Sequence, residues 1–410
     1  MRLIVLAIGL FFSNLGLHAK TLYSWSQPTG NIISFRVIVD DAQCPSLLIN
    51  DKNTPMNLWY SRTNQFPITM CQINLNKSDQ ATLNGAIVPT IHDPKKILVI
   101  GDTGCGSIAT TKDQRGYQDC SRDNSWPFPK LIRNAERLKP DLIIHVGDMH
   151  YRKLQCKHKL SNCYGDYEGT GYGSWKADFF EPMANLLKIA PIILVKGNHE
   201  NCHRAGDGWN ILFSANSNKS VCTDEVEEAQ LVSFNDIEFT LLDNSSAKDA
   251  IAQDVNFYHN YIKKSLKLLS KNNHKVRVLL SHKPVYSSGY SVPDMKINKF
   301  YNLTLFEAMK GIDASRVDFS LHGHLHQLNI SKFFDKTIPT QVIVGNSGGL
   351  LWADSLEHSG FAGGPLPKLS VSYHDFGFAM INISDSDVVL DYFDVEGNKV
   401  GSDILLQRKS

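Results

Sequence analysis

Short apolar runs, each stopped by a glycine or a polar residue, recur along most of this chain, and their lengths predict its elements. Residues 20–92 carry Ile32-Ile-Ser-Phe-Arg-Val-Ile-Val39 and Thr69-Met-Cys-Gln-Ile-Asn-Leu75, with branched and alternating apolar positions and no helix-period segment. Gly, Pro, Asn and Asp punctuate them, which predicts a small β-rich domain. A polar, proline-containing link at His92-Asp-Pro-Lys-Lys96 divides it from a second domain over 93–410. From Ile97 the texture changes to strands alternating with helices, the pattern of an α/β fold. Ile97–Ile100, Leu142–Val146, Pro191–Val195, Val276–Leu280 and Val317–Leu321 are short and mostly branched or apolar, so they read as buried strands. Gln230–Phe234 and Ile237–Leu242 add a pair joined by an Asn235-Asp236 turn. Helices are expected over Trp126–Leu138, Trp175–Lys188 and Val255–Leu269, where apolar residues fall on one face; Pro127 and Pro129 are tolerable in a first turn. Phe376–Ile383 and Val388–Phe393 read as a closing hairpin, followed by turn chemistry at residues 396–398.

Composition is ordinary and the net charge is +1 at pH 7, which gives no support for a nucleic-acid scaffold role or an anionic membrane surface as partner. Residues 1–19 read as a secretory signal peptide. Arg2 supplies the positive start, Leu3–Phe12 is an apolar run too short to span a bilayer, and Ala19 is a small residue at a plausible cleavage point. No later run is long or apolar enough for a transmembrane helix, so a secreted or periplasmic protein without a stable membrane anchor is expected. Nothing in the pattern speaks to oligomeric state. The mature chain keeps eight cysteines, an even count that suggests disulfides in an exported protein. Connectivity does not follow from sequence; the expectation is local pairing, Cys44–Cys71, Cys105–Cys120, Cys156–Cys163 and Cys202–Cys222. No pair of Cys-x-x-Cys units exists to make a cysteine zinc site.

Chemistry collects at the ends of the strands. Asp102, Asp148 with Tyr151, Asn198 with His199, His282, and His324 with His326 each follow an apolar strand, and four of the five ends adjoin glycine. One Gly-Asp pair is an ordinary turn. Five such ends carry more weight, because parallel strands deliver their carboxyl ends to one edge. Oxygen and nitrogen donors gathered around a shared carboxylate are what two cations about 4 Å apart require.

The set Gly101-Asp102-x-Gly104, Gly147-Asp148-x-x-Tyr151, Gly197-Asn198-His199-Glu200, Ser281-His282 and Gly323-His324-x-His326, in that order, resembles the metallophosphoesterase superfamily. The tyrosine three residues after the second aspartate resembles its purple acid phosphatase-like branch, as do His282-Lys-Pro-Val-Tyr-Ser287 and Gly345-Asn-Ser-Gly-Gly349. The resemblance spans residues 96–350 and does not reach residues 20–92. It implies a four-layer α/β/β/α sandwich beside the small N-terminal β-rich domain, with catalysis in 93–410. It implies one metal bound by Asp102, Asp148, Tyr151 and His326, and a second bound by Asn198, His282 and His324, with Asp148 bridging. Aspartates and a phenolate are hard anionic donors suited to iron(III); an amide and two imidazoles suit divalent iron, zinc or manganese. The implied activity is an exported acid phosphatase that hydrolyses phosphomonoesters by attack of a metal-bound hydroxide, with phosphate esters as substrates. His199 would stabilise phosphoryl oxygens or protonate the leaving oxygen, and Glu200 would orient His199. A phosphodiesterase acting on nucleotides or phospholipid head groups could use the same metals and differ at the pocket rim. A non-catalytic, metal-stabilised binding protein is the reading of another class; it has no use for open coordination or a spare acid.

Other polar residues have blander readings. His145 lies within a strand run and reads as a core histidine. His150 either packs or faces the substrate. His322 is a core-edge histidine or supports a ligand from behind, with both open. His203 and Asp207 read as a solvated loop, Tyr286 and Tyr290 as packing residues or a pocket wall, and Lys153, Lys157 and Lys159 as a solvated face. Residues 152–173 form a polar insert whose Gly169-Thr-Gly171-Tyr-Gly173 run only superficially resembles a phosphate-cradling loop, since it does not directly follow a strand.

Overall fold

The computed structural model describes residues 20–91, 93–109, 115–153, 169–215, 221–223, 225–270, 275–286, 289–290, 297–298, 302–351, 365 and 367–408. Two sheets stack at its centre. One has six strands in the order Ile192–Leu194, Leu142–His145, Lys96–Ile100, Gly377–Ile383, Asp387–Asp394 and Lys399–Gln407. Its first three strands are parallel, with Ile143 opposite both Leu98 and Ile192. The C-terminal hairpin expected from the sequence joins this sheet and gains a third strand past the turn. The other sheet has seven strands: Gln230–Ser233, Ile237–Leu242, Val276–Ser281, Phe319–His322, Thr340–Val344, Leu328–Phe333 and Pro367–Tyr373. Four of these, from Ile237–Leu242 through Thr340–Val344, are parallel.

Strand periodicity explains the layers. Ile97, Val99, Leu142 and Ile144 point into the core between the sheets, where they meet Phe239, Val278, Leu280 and Phe319. The alternate residues Leu98, Ile100 and Ile143 point the other way, under a helix at Phe128–Glu136. On the far side Leu242 and Leu279 pack under helices at Val255–Leu266 and Leu303–Met309. Ile97–Ile100 and Leu142–Ile144 are buried on both faces and apolar throughout, so they lack polar alternation, whereas Ile237–Leu242 carries buried Glu238 and Thr240 at alternate positions. The result is the expected four-layer α/β/β/α sandwich.

One helix departs from expectation. Trp175–Lys188 is not continuous: Tyr172–Trp175 is helical, Lys176–Phe180 is a π-turn, and helix resumes briefly at Glu181–Met183 before a tight turn at Leu186–Lys188. Pro182 explains the break. It lacks an N–H, and its ring would clash with the carbonyl four residues back, so the preceding bond runs from Glu181 N–H to Lys176 O, five residues apart. The helix at Phe128–Glu136 ends two residues before the expected Leu138. Lys139 takes φ +50° ahead of Pro140, a position where the α-conformation is disfavoured.

The N-terminal region is β-rich, with eight strands between Thr21 and Ile87 in two four-stranded sheets. In Ile32–Val39 the residues Ile33, Phe35, Val37 and Val39 fill a core with Leu47 and Leu75. On the opposite face Ile38 joins Trp25, Ile68 and Met70 in a core shared with Phe179, Phe180 and Phe213. Disulfides join Cys44–Cys71, Cys105–Cys120 and Cys202–Cys222 as expected, a pattern that fits an extracellular protein. The expected Cys156–Cys163 pair and the signal peptide lie outside the described residues. Among the described residues no helix is long and apolar enough to cross a membrane.

Candidate metal centre

The carboxyl ends of parallel strands from both sheets open onto one edge, and the seven expected ligands meet there. Asp102, Asp148 and His324 take φ of +54°, +58° and +70°. That region costs a non-glycine residue about 1–3 kcal/mol and persists only where neighbours impose it. The neighbours are visible. Asp102 N–H donates to Gly147 O at 2.9 Å, Thr103 N–H to Asp148 O at 3.0 Å, and His324 N–H to Asp102 Oδ2 at 2.9 Å. Gly147 has φ +98°, and a methyl group there would lie 2.6 Å from His282 Nδ1, so only glycine fits.

The donors fall into two groups that share Asp148. Tyr151 Oη lies 3.3 Å from Asp102 Oδ1, 3.2 Å from Asp148 Oδ2 and 3.0 Å from His326 Nε2. His282 Nε2 lies 3.1 Å from the same Asp148 Oδ2 and 3.2 Å from Asn198 Oδ1. Donor atoms of Asp148, His282 and His324 all lie within 4.8 Å of one another. Two of the three imidazoles are oriented by backbone carbonyls: His282 Nδ1–H donates to Val146 O at 2.8 Å, and His326 Nδ1–H donates to Leu350 O. Their Nε2 atoms are thereby aimed at the carboxylates.

Glu200 does not orient His199, contrary to expectation. It is fully buried, and its two oxygens accept the N–H groups of Asp148, Met149, His150 and Gly197 at 2.8–3.1 Å. A carboxylate facing four amides holds the Asp148 loop against the Asn198 loop, a geometric role that the motif alone could not reveal. Burial, with the charge of Asp148, raises its carboxyl to about 7 despite those amides. His199 is held instead by Lys153, whose Nζ lies 3.4 Å from His199 Nδ1, and by stacking on Tyr151 at 4.0 Å between ring centroids. Lys153 is therefore a pocket residue and not part of a solvated face; Lys157 and Lys159 lie outside the described residues.

Electrostatics follow from burial around a few charges. Burial opposes charge on His282, but Asp148, Asp102 and the Val146 carbonyl together outweigh it and raise the imidazole to about 9. Asp148 lies well below the usual carboxylate range, with burial working against His282 and His199. Burial and the charges of Asp148 and Asp102 push the Tyr151 phenol well above its ordinary value. Burial, reinforced by Lys153 and Arg204 and opposed by Asp148, holds His199 well below its ordinary value.

Other candidates are placed elsewhere. His145 is a core histidine, its Nε2 2.8 Å from Thr103 Oγ1. His150 faces away from the site, bonded to Gly169 O and Ser174 Oγ and stacked on Trp175. The Gly169–Gly173 run serves that packing, with Ser174 Oγ also bonded to Gly171 O. His322 is buried beside Ser281, whose Oγ lies 3.0 Å from its Nδ1, one strand behind His282. His203 is exposed, and Asp207 Oδ1 accepts the N–H of Cys222. Tyr286 packs on Phe333; the Tyr290 side chain lies outside what is described. Three residues near the site were not expected. Arg204 acts on His199 through its charge, Lys283 is buried next to His282, and Asp249 lies 3.4 Å from His324 Nε2. Only Lys283 stands within a quoted motif. Asp249 lies in an irregular stretch far from any other site residue in sequence, so no local spacing points to it.

The donors suit a pair of cations. Spacings near 3 Å between Tyr151, Asp102, Asp148 and His326, and between Asp148, His282 and Asn198, match the edges of coordination shells with bonds of about 2.1 Å. Asp102 and Asp148 are buried, and among the described residues neither has a lysine or arginine ion partner. Two buried carboxylates side by side call for compensating positive charge. This fold and this donor set define a metallophosphoesterase-type centre. Residues 95–328, more than half of the chain, match the model of the calcineurin-like phosphoesterases, and the chain belongs to that family of phosphoric ester hydrolases. In fold it is similar to a purple acid phosphatase isolated from yellow lupin (Lupinus luteus) seeds, at 14% identity and a TM-score of 0.63, covering 94% of this chain and 74% of that one. It is also similar to PhoD, at 9% identity and a TM-score of 0.55, covering 94% of this chain and 90% of that one. No curated protein matches the sequence.

Proposed function

We propose that this protein is an exported acid phosphatase that hydrolyses phosphomonoesters at a dinuclear metal centre. The observation that carries this reading is the placement of Tyr151 Oη within 3.0–3.3 Å of Asp102, Asp148 and His326, beside a second donor group that shares Asp148. Asp102, Asp148, Tyr151 and His326 would hold iron(III), and Asn198, His282 and His324 divalent iron, zinc or manganese, with Asp148 common to both. When bound, the cations supply Lewis-acid chemistry, drawing in a phosphate dianion and lowering the pKa of water.

The chain's own groups do the remaining work. Lys153 donates to His199 Nδ1, so the ring hydrogen stays on Nε2, 3.9 Å from Asp148 Oδ2 on the open side. Burial holds the His199 pKa down, which favours the neutral ring, and its Nε2–H acts as a hydrogen-bond donor to a phosphoryl or leaving oxygen. Lys153 and Arg204 add positive charge on that side, which favours an anionic ester. The disulfides support an oxidising destination.

The test is kinetics of the metal-loaded protein on an aryl phosphomonoester and the matching diester, at acid and neutral pH, with metal analysis. The monoester should be cleaved faster, and best in acid. A phenolate–iron(III) pair should absorb visible light, and an active, iron-free, colourless enzyme would remove iron from the reading. Diester preference would replace the substrate class. If neither ester is cleaved, a binding role is what remains. Asp148→Asn should abolish most turnover; unchanged turnover sinks the site assignment.

A further inference from the structure

Three imidazoles converge on the centre, and each has one nitrogen held from behind. For His282 and His326 that nitrogen is Nδ1, and the acceptor is a backbone carbonyl. His324 is reversed: its Nε2 lies 3.4 Å from Asp249 Oδ1. The Asp249 carboxylate is clamped on both oxygens. Asn302 Nδ2 donates to Oδ1 at 2.7 Å, and Lys283 Nζ donates to Oδ2 at 3.0 Å. Both clamps are themselves built in. Asn302 caps the helix Leu303–Met309 by accepting the Leu305 N–H at 2.8 Å, and Leu303 N–H donates to Asp249 O at 2.9 Å. Lys283 follows His282 directly, is buried, and also donates to Ala247 O at 2.7 Å. An acceptor anchored to a helix cap and to the His282 strand is fixed well enough to select one tautomer of its partner. Hydrogen on Nε2 leaves Nδ1 of His324 with the lone pair.

We propose that Asp249 is a positioning residue that sets the Nε2–H tautomer of His324 and so presents its Nδ1 to the second cation. This inference rests on the dinuclear reading above. Carboxylates behind metal-binding imidazoles raise ligand basicity and fix ring orientation, and their loss typically costs about 10- to 100-fold in metal affinity. The competing role for Asp249 is simply to neutralise Lys283. That role would affect folding and both metals alike, and would leave the His324 tautomer unchanged.

The experiment is a chelator-competition titration of divalent metal into wild type, Asp249→Asn and Asp249→Glu, with nitrogen-resolved NMR of the His324 ring. Wild type should bind two equivalents and show the Nε2–H tautomer. Asp249→Asn should weaken one equivalent by about 10- to 100-fold, keep the other, and lose the single tautomer. Asp249→Glu should restore part of both readouts, which guards against a variant that folds poorly. Equal affinities for both equivalents in wild type and Asp249→Asn, or an unchanged tautomer, overturn the inference while the dinuclear reading stands. Wild type that binds fewer than two equivalents overturns the dinuclear reading and this inference with it.

Discussion

In the proposed ligand roles, His282 and Tyr151 carry protons that a bound cation would displace. His282 is held at about 9 because Asp148, with Asp102 and the Val146 carbonyl, overcomes the effect of burial. A histidine raised above its unfolded value contributes stability in full below pH 6.5 and loses it as pH rises through about 9. Metal at Nε2 competes with that proton, and metal at the Tyr151 oxygen competes with the phenolic one. Asp148 is already ionised and releases none. His326 is raised as well, burial being outweighed by Asp102, so metal titration at neutral pH should release protons from at least His282 and Tyr151, measured as the dependence of calorimetric heat on buffer ionisation enthalpy. His282→Ala should release about one fewer than wild type; heats independent of buffer would contradict the ligand roles. The sequence located Tyr151 because it stands at a fixed offset from the strand-ending Gly147, and His282 because it directly follows an apolar strand. It could not assign Glu200, three of whose four amide partners lie on another loop.

The π-turn at Lys176–Phe180 shows how an element serves the site from outside it. By redirecting the helix, the turn leaves Asp178 fully buried, where its carboxylate accepts from Tyr151 N–H at 2.9 Å, Cys105 N–H at 3.2 Å and Arg152 Nε at 2.6 Å. Two of the loops that carry site residues, after Lys96–Ile100 and after Leu142–His145, are thus tied to one side chain. Breaking a buried ion pair by removing one charge costs about 3–5 kcal/mol. Asp178→Asn should lower stability by that order in urea unfolding and shift the Tyr151-dependent visible absorption. Unchanged absorption in a folded variant would show that Asp178 does not hold Tyr151. The amphipathic face of Trp175–Lys188 was legible as helix; the break was legible only in Pro182, whose effect depends on which turn it occupies.

Across the whole molecule, Arg36 joins the N-terminal sheets to the phosphoesterase sandwich. It is 1% exposed, and burial lowers its guanidinium to about 9. It donates to Leu212 O and Ser214 O, both at 2.7 Å, and to Gln72 Oε1 at 3.0 Å, and stacks over Trp59. Hydrogen bonds from a charged group contribute about 1.5–3 kcal/mol each, and orphaned carbonyls add a penalty. Arg36→Ala should lose at least about 2 kcal/mol in equilibrium unfolding, with the two-equivalent metal stoichiometry kept. A loss below about 0.5 kcal/mol, the range of an ordinary surface substitution, would mean that apolar packing alone joins the two regions. In sequence Arg36 is one polar residue in an alternating strand, indistinguishable from a solvent-facing position.

Local order settled much of this protein. Run length and branching marked the buried strands, and residue type at each strand end marked the seven residues that meet at one edge, because parallel strands send those ends there. Sequence-local cysteine pairing also held for the three described disulfides. Contacts between distant segments were decided only by folding. Glu200 reaches back to the Asp148 loop, Lys153 reaches His199, Asp249 reaches His324, and Arg36 reaches the loop at Leu212. These are polar groups whose partners are fixed by how sheets and loops stack, and no periodicity along the chain encodes such distances.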